Sequence, residues 1–378
     1  MTPVVLAAYA RSPFTFASKG AFATKRPDDL AADVVRGLVE RADIDPALIE
    51  DLILGCAFPE GEQGFNMARL VGLMAGLPDT VAGVTVNRFC GSSMQAIHMA
   101  AGAIQLGAGE AFVCAGVESM TRVPMGGFNP MPNPDLYENN EGAYMPMGET
   151  AENLAQKYQI PRDEQEGFAV TSQTRAASAQ SDGRLAGEIV PIETEDGTIS
   201  EDTCIRPETT AEVLAGLEPA FDAEGTVTAG TSSPLTDGAA AVLVCTEDFA
   251  KTNNLKPLAL LKSIAVAGVP PEIMGIGPVA ATEKALKRAG LKVDDIDVVE
   301  LNEAFAVQAL SCLRELPFGG EQVNMDGGAI ALGHPLGATG ARITGKAAQI
   351  LQREGKRYAL ATQCIGGGQG ITTVLEAA

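Results

Sequence analysis

The sequence predicts an α/β protein built from two similar halves, the first of which is interrupted by a long insertion. Short β-rich runs alternate with alanine-rich amphipathic stretches, a pattern typical of helices packed on buried sheets. Segments near the start of the chain resemble segments about 247 residues further on, which indicates a duplication. A segment rich in glycine, proline and methionine then separates the last strand of the first half from its other strands.

The repeat is clearest where a helix ends and an apolar strand follows. Two segments each contain a helix end, a short linker, a short acidic stretch and a strand: LVERADIDPALIEDLILG (38–55) and ALKRAGLKVDDIDVVELN (285–302). At nearly the same offset, the sequence EAFVCAGVES aligns with RYALATQCIG. The opening strand PVVLAAYARSP likewise aligns with LALLKSIAVAG. The two halves are therefore predicted to contain equivalent strands and helices.

The insertion lies between two strands that are close together in the second half. There, CIGGGQG runs directly into the final strand ITTVLE, whereas the equivalent strand AAAVLVCTE of the first half comes only after about 115 further residues. The insertion carries a helical stretch opened by Pro161, with acidic residues in its first turn. Since loops on a rigid scaffold commonly bind ligands, we expect this segment to set substrate specificity.

The predicted domain organisation follows from this reading. The N-terminal half occupies 1–250, with its core at about 1–119 and 236–250 and the insertion at about 120–235, and the C-terminal half occupies 256–378.

Composition and charge exclude several classes of protein. A formal charge of −21 argues against nucleic-acid binding, which needs a cationic surface. No stretch of about eighteen apolar residues predicts an integral membrane segment, and the N-terminus lacks the pattern of a secretory signal. The seven cysteines show no C-x-x-C pair or zinc spacing, so we expect free thiols, no metal site and a cytoplasmic location.

Cys90 is the first candidate for chemistry. It follows the strand-like GVTVNRF and precedes GSSMQAIHMAAGAI, in which apolar residues recur at helical spacing. At a helix N-terminus, free backbone amides and the helix dipole favour a thiolate, so we expect a lowered pKa and a nucleophilic sulfur. The alternative is that Cys90 is a small buried hydrophobe, the commonest environment of a free cysteine.

Only two histidines are available as a base. His98 lies eight residues beyond Cys90, about 12 Å along a helix, and is better explained as a packed helix residue. His334, in NMDGGAIALGHPLGATGAR, falls close to the position equivalent to Cys90 in the repeat. Two halves facing each other would bring Cys90 and His334 together as a nucleophile and its base.

Two further polar sites fall at predicted strand ends. Cys364 precedes a glycine-rich turn, TQCIGGGQG, whose amides are suited to an anion or an oxyanion. Asn302 and Glu303, in VELNEAFAVQAL, follow a buried strand. Polar side chains in such a place need hydrogen-bond partners or have a functional role. An alternative for that pair is a helix cap by Asn302, with Glu303 in the first turn.

The sequence GARITGKA, which begins at Gly340, nearly matches the motif of a phosphate-binding loop. It has Ala347 in place of the final serine or threonine, and its pattern is that of a helix interior, so nucleotide hydrolysis is not expected.

Four motifs in this order, VNRFCGSSMQA, NEAFA, GGAIALGHPLGATGAR and CIGGGQG, resemble those of the thiolase family. The resemblance covers essentially the whole chain. It implies a duplicated αβαβα layered core with an inserted loop domain that binds coenzyme A, which agrees with the repeat and the insertion described above.

The resemblance also implies a ping-pong acyl transfer. Cys90 matches the nucleophile and His334 the base that activates it, and Asn302 matches the residue that fixes a water in the oxyanion hole of the enolate. Cys364 matches the acid that protonates the enolate and then activates coenzyme A, while the backbone amides of Cys90 and Gly366 would form the second oxyanion hole.

In the insertion, Ser233 matches a serine that contacts the pantetheine arm, and Met147 and Gly148 match residues that line its tunnel. Coenzyme A is implied as a substrate, with no other cofactor and no metal. Glu218 departs from the family pattern, because many relatives carry an arginine there, near the nucleotide of coenzyme A. A carboxylate would repel phosphates, so the sequence does not identify what holds that end.

Within the family, NRFCGSSMQAIH, GEQGFNMARL and IRPETTAEVLAGL look most like the degradative bacterial 3-ketoacyl-CoA thiolases of fatty-acid β-oxidation. The implied reaction is cleavage of 3-ketoacyl-CoA by CoA to acetyl-CoA and a shortened acyl-CoA. The implied partners are a second copy, as homodimer or homotetramer, and a hydratase/dehydrogenase subunit.

Several alternatives stay open. The substrate could be acetoacetyl-CoA, as in an acetyl-CoA C-acetyltransferase, or 3-ketoadipyl-CoA. A ketoacyl synthase typically pairs its cysteine with two histidines, whereas here only His334 is well placed. A scaffold subunit that only binds acyl-CoA should have lost Cys90, His334 or Cys364, and all three are present.

Overall fold

The computed structural model describes residues 2–378 and contains one large mixed sheet and a separate two-stranded sheet. The strands are β1 Val4–Arg11, β2 Thr15–Phe16, β3 Asp51–Gly55, β4 Ala82–Val86, β5 Ala111–Ser119, β6 Ile192–Thr194, β7 Gly197–Ile199, β8 Thr236–Thr246, β9 Ala259–Gly268, β10 Val298–Leu301, β11 Tyr358–Ile365 and β12 Gln369–Glu376.

The helices alternate with these strands in both halves of the chain. They are α1 Pro27–Ala42, α2 Met67–Met74, α3 Ser92–Gln105, α4 Pro134–Asn139, α5 Met147–Tyr158, α6 Arg162–Ser181, α7 Ala211–Ala215, α8 Glu247–Thr252, α9 Gly277–Ala289, α10 Ala306–Glu315, α11 Ala329–Leu332 and α12 Leu336–Arg353.

The strand order of the large sheet reflects the duplication. It runs β10-β11-β12-β9-β1-β8-β5-β3-β4, with β2 paired to β8. β1 and β9 meet at the centre through a short antiparallel pairing, Val5 with Leu260 and Leu6 with Ala259. Outward from that pair, β8, β5 and β3 on one side correspond to β12, β11 and β10 on the other, as the repeat predicts.

Helices cover both faces of the sheet and divide the molecule into layers. α3 and α12 pack against each other and against strands of both halves, so they form the central helical layer. α1 and α2 cover the outer face of the first half, and α9 and α10 cover that of the second. The predicted αβαβα core is confirmed.

This layering explains why β5 and β8 are apolar along most of their length. Every residue of β5 and of β8 is buried. A strand with helices on both faces has no solvent-facing side, so its sequence shows a continuous apolar run instead of alternation.

Three glycines permit the close packing of the central layer. A Cβ atom on Gly340 would lie 2.3 Å from the Met94 backbone nitrogen, and one on Gly116 would lie 2.1 Å from the Gly337 carbonyl oxygen. α12 therefore packs against α3 and β5 with backbone in direct contact, which brings the N-termini of both helices close together.

The segment between β5 and β8 contains α4 to α7 and the β6-β7 hairpin. Buried ion pairs fasten it to the core. Arg11 of β1 contacts Asp202 through two 2.7 Å hydrogen bonds and Glu188 at 2.8 Å. Lys346 of α12 contacts Glu188 at 3.1 Å and Asp326 at 2.7 Å.

Candidate active site

One cavity of about 570 Å³ lies where the N-termini of α3 and α12 meet the ends of β10 and β11. Cys90, His334 and Cys364, which are far apart in sequence, all line it. The walls are mostly apolar and include Met147, Gly148 and Ser233. The structure therefore brings six of the eight predicted site residues to one cavity, and the other two, Asn302 and Gly366, contact His334 and Cys90.

Cys90 lies in a tight turn just before α3, whose first residue is Ser92. The preceding residue, Phe89, has a left-handed backbone with φ of 43°, a conformation that costs a non-glycine residue of order 1–2 kcal/mol. Side chains on either side hold the turn: Asn87 accepts from the Phe89 amide at 2.8 Å, and the Ser92 hydroxyl donates to the Phe89 carbonyl at 2.6 Å. The sulfur is thereby fixed at the cavity wall.

The electrostatic environment of Cys90 differs from the prediction. Burial raises the pKa of the thiol to about 11, although the nearby amides of Gly366 and of Cys90 itself oppose that shift. The predicted lowering of the pKa was wrong because Cys90 packs among Ala57 and Leu336, where desolvation of a thiolate outweighs the helix N-terminus. Both amides nevertheless lie close enough to the sulfur to oppose that rise.

His334 is held by its backbone and by both ring nitrogens. Its amide donates to the Thr236 hydroxyl at 3.1 Å, its Nδ1 lies 2.6 Å from Thr339 Oγ1, and its Nε2 lies 3.4 Å from Asn302 Nδ2. Burial, with a smaller contribution from Arg342, lowers the pKa of His334 to about 3. The imidazole is therefore neutral near pH 7.

These contacts assign the tautomer of the ring. The Thr339 hydroxyl donates its proton to the Pro335 carbonyl at 3.0 Å, so its oxygen accepts from His334 Nδ1. Nε2 then carries a lone pair, which is consistent with the Asn302 amide donating to it. Within residues 2–378, the Cys90 sulfur and the His334 ring make no direct hydrogen bond, but both face the same cavity.

Asn302 follows β10 directly and is fully buried. Its Oδ1 has no hydrogen-bond partner among the described residues, which leaves an acceptor free beside His334. The alternative of a helix cap was wrong, because α10 begins only at Ala306. Glu303 instead accepts from Ser172 and Asn324, at 2.6 and 2.7 Å, and packs behind the site.

Cys364 is the penultimate residue of β11, and the glycine turn follows it. Burial and the neighbouring Cys90 raise the pKa of the Cys364 thiol, so it is protonated at neutral pH. The adjacent Gln363 is fully buried and donates from Nε2 to the Cys90 carbonyl at 2.5 Å. β11 of the second half thus contacts the Cys90 turn of the first half directly.

The insertion supplies one wall of the cavity. Ser233 is held through its amide, which donates to the Ala304 carbonyl at 3.0 Å. Gly148 lies against Phe221, since a Cβ atom there would come within 2.1 Å of that ring. Glu218 is exposed and does not line the cavity.

Sequence reasoning missed three residues that organise this site: Thr339, Gln363 and Glu118. Glu118 is buried and accepts from the amides of Ala57 and Gly337, at 2.8 and 2.9 Å. It thereby ties the start of α12 to β5. Thr339 could have been noticed as a hydroxyl one turn beyond His334, whereas Gln363 and Glu118 gave no local signal.

No group of three or more His, Cys, Asp or Glu side chains in residues 2–378 is placed to hold a metal ion. Over the same residues, no helix has the length and apolarity needed to cross a membrane.

A cysteine sulfur held against two backbone amides, beside a neutral histidine and a second thiol, defines a class of enzymes that transfer acyl groups through cysteine. Sequence comparison identifies the family within that class. Residues 4–248 match the family described as "Thiolase, N-terminal domain" and residues 255–377 match "Thiolase, C-terminal domain". The chain belongs to the thiolase family.

Individual relatives agree along the full length. The chain is 48% identical to the 3-ketoacyl-CoA thiolase of Bacillus subtilis (strain 168) and 50% identical to that of Idiomarina loihiensis, with 100% of both chains covered in each case. The crystal structure of human mitochondrial 3-ketoacyl-CoA thiolase superposes with a TM-score of 0.93 at 38% identity, covering 100% of this chain and 99% of that one. The Bacillus anthracis acetyl-CoA acetyltransferase superposes with a TM-score of 0.92 at 40% identity, with the same coverage.

Proposed function

We propose that this protein cleaves 3-ketoacyl-CoA with CoA, giving acetyl-CoA and an acyl-CoA shortened by two carbons, as in fatty-acid β-oxidation. The observation that carries the proposal is the placement of Cys90, His334 and Cys364 at one cavity, with the amides of Gly366 and Cys90 close enough to the Cys90 sulfur to affect its pKa. The names of the relatives in Bacillus subtilis and Idiomarina loihiensis support the same reaction.

In the first half-reaction, Cys90 attacks the 3-keto carbon while its proton passes to His334 Nε2. The bond between C2 and C3 then breaks, and its electron pair forms the enolate of acetyl-CoA. Cys364 donates a proton to C2, so acetyl-CoA leaves and the shortened acyl group remains on Cys90 as a thioester.

In the second half-reaction, the Cys364 thiolate takes the proton of the incoming CoA thiol. The CoA sulfur attacks the acyl carbon, the bond from that carbon to Cys90 Sγ breaks, and the proton held by His334 returns to Cys90. Both thiols end in their starting state, so no external reductant or oxidant is needed.

Two oxyanions form along this path, and each has a proposed set of donors. The acyl oxygen on Cys90 would accept from the amides of Cys90 and Gly366, which lie near the sulfur and oppose the rise in its pKa. The enolate oxygen would accept from protonated His334 and from a water bound to Asn302. The free Oδ1 of buried Asn302 supports that water, because a buried acceptor without a partner is unfavourable.

The insertion is proposed to hold the substrate arm. Three residues of the insertion line the cavity that leads to Cys90. Met147 and Gly148 lie at the start of α5, and Ser233 lies in the segment that precedes β8. The flexible Met147 thioether suits an alkyl tail or a pantetheine chain.

The test is CoA-dependent cleavage of a chain-length series from acetoacetyl-CoA to 3-ketohexadecanoyl-CoA, with 3-ketoadipyl-CoA in parallel. Activity across the longer substrates is the expected result. Activity confined to acetoacetyl-CoA would identify an acetyl-CoA C-acetyltransferase instead, and activity confined to 3-ketoadipyl-CoA would identify an enzyme of dicarboxylic substrates. Tight binding of acyl-CoA without any cleavage would indicate a scaffold subunit.

We also propose that the protein acts as a homo-oligomer. β4 is one of the two edge strands of the large sheet and is only half-buried, and edge strands of this kind readily pair with another chain. Two large apolar side chains on this half of the molecule are almost fully exposed, Phe65 at 94% and Leu106 at 87%. Light scattering should give a dimer or a tetramer, and co-purification would test association with a hydratase/dehydrogenase subunit.

The seven cysteines are all buried and unpaired in the structure. Because free thiols persist in reducing compartments, we propose a cytoplasmic location.

A further inference from the structure

The cavity contains a pair of cations that the proposed reaction does not use. Among residues 2–378, Lys19 and Arg206 are the only lysine and arginine that line it, and no aspartate or glutamate of this range does. On a chain with a formal charge of −21, a cavity that excludes carboxylates and includes two cations is unusual. It indicates that one part of the ligand is anionic.

The two cations share one aromatic support. The Lys19 ammonium lies 4.9 Å from the centre of the Phe16 ring, and the Arg206 guanidinium carbon lies 5.0 Å from the same centre. Cation–π contacts of this kind hold flexible side chains in place without neutralising them. Neither cation forms an ion pair with a carboxylate within the described residues, so both remain available to an anion.

The backbone beneath this pair is fixed. Phe16 pairs with Thr236 across β2 and β8, and the Ala17 amide donates to the Leu235 carbonyl at 2.9 Å. The Gly20 amide closes the turn that carries Lys19 by donating to the Phe16 carbonyl at 2.8 Å. Phe16 is therefore part of the large sheet, and Lys19 lies in the turn that follows it.

Arg206 is held from the other side of the cavity. Its amide donates to Oε1 of the buried Gln173 at 2.8 Å, and its carbonyl accepts from the Thr209 amide at 3.1 Å. Its side chain is exposed, as is that of Lys19, so an anion can reach both. Their positive charges would repel each other less with an anion bound between them.

We propose that Lys19, Phe16 and Arg206 form an oxyanion-binding site for the charged end of the substrate. This inference rests on the proposed function, because it assigns the site a role in binding a CoA thioester. Two sources supply an oxyanion of this chemistry: a phosphate of CoA, or the terminal carboxylate of a dicarboxylic ketoacyl chain. Neither the pantetheine arm nor a simple alkyl tail carries such a charge.

The test compares wild-type protein with Lys19→Met, Arg206→Met and the double variant, using Lys157→Met as control. Lys157 is an exposed lysine stacked on Tyr158 at 5.7 Å, and it does not line the cavity. Two ratios of kcat/KM are measured: 3-ketohexanoyl-CoA against its pantetheine thioester, and 3-ketoadipyl-CoA against 3-ketohexanoyl-CoA. The first pair differs by the phosphorylated nucleotide of CoA, and the second differs only by a terminal carboxylate in place of a methyl group.

A phosphate site predicts that the first ratio falls by roughly threefold to tenfold for each single variant and further for the double variant. A carboxylate site predicts the same fall in the second ratio. In either case the fall in the ratio should become smaller as salt is added, and the ratio should not change in Lys157→Met. Both ratios unchanged in a folded double variant would overturn the proposal, whereas a wild-type protein that cleaves no substrate would instead overturn the proposed function.

Discussion

The neutral state of both Cys90 and His334 follows from burial at one cavity wall. A thiol whose pKa is about 11 and an imidazole whose pKa is about 3 do not form an ion pair at neutral pH. The proton therefore moves only as the sulfur attacks. The resting site keeps a protonated thiol, which protects it from indiscriminate alkylation and oxidation.

This state predicts how Cys90 reacts with iodoacetamide. The thiolate is the reactive form, and its fraction rises about tenfold per pH unit until the pKa is reached. Because burial raises that pKa, the alkylation rate at Cys90 should rise throughout the range from about pH 6 to pH 10 without a plateau. Peptide mass spectrometry at each pH measures the rate, and a plateau beginning below neutral pH would show an ion pair with His334 instead.

Thr339 is expected to act through His334 by fixing the tautomer. Thr339→Val removes the acceptor for Nδ1 and should lower kcat/KM by roughly 10- to 100-fold, because Nε2 no longer carries the lone pair in a fixed orientation. Thr339→Ser keeps the hydroxyl and should recover most of the activity. Equal losses in both variants, with altered melting temperatures, would point to packing alone.

At the scale of elements, backbone contact in the central layer positions the two catalytic turns. Gly340→Ala places a Cβ atom against the backbone of Met94, so we expect a loss of about 1–3 kcal/mol in the free energy of unfolding. Gly167→Ala is the matched control: it lies in the interior of α6 with open space around it, and should raise stability by about 0.5–1 kcal/mol. Urea unfolding measures both, and a neutral Gly340→Ala would contradict the packing argument.

The elements also show what could be predicted from the sequence. The repeat located equivalent strands and placed Cys90, His334, Cys364 and Asn302 at the ends of strands or the starts of helices, because these signals are local. The pKa of Cys90 was predicted with the wrong sign, since burial by Ala57 and Leu336 is set by distant segments. Gln363 and Cys90 are 273 residues apart, so their contact had no sequence signature.

At the scale of the whole molecule, a buried ionic network ties the insertion to the core. Arg11→Met would leave the buried Asp202 without an ion-pair partner and Glu188 with Lys346 alone, and we expect a loss of about 3–5 kcal/mol. Lys251→Met removes only an exposed pair with Glu247 and should change stability by about 0.5 kcal/mol or less. Similar urea midpoints for the two variants would show that the network contributes little.

The division of the chain at 1–250 and 256–378, with an insertion at about 120–235, stays a prediction. Limited proteolysis tests it, because boundaries between units fall in exposed segments. Early cuts are expected between Met125 and Tyr144, where several large apolar side chains are exposed outside the sheet.

The central claim is that Cys90 carries the acyl group, and mass spectrometry of the trapped intermediate tests it most directly. Incubation with 3-ketohexanoyl-CoA in the absence of free CoA should leave a butyryl group on the peptide that contains Cys90, and added CoA should remove it as butyryl-CoA. Cys90→Ser should show neither the adduct nor turnover. Turnover without an adduct on Cys90, or an acyl group found on Cys364 instead, would contradict the account.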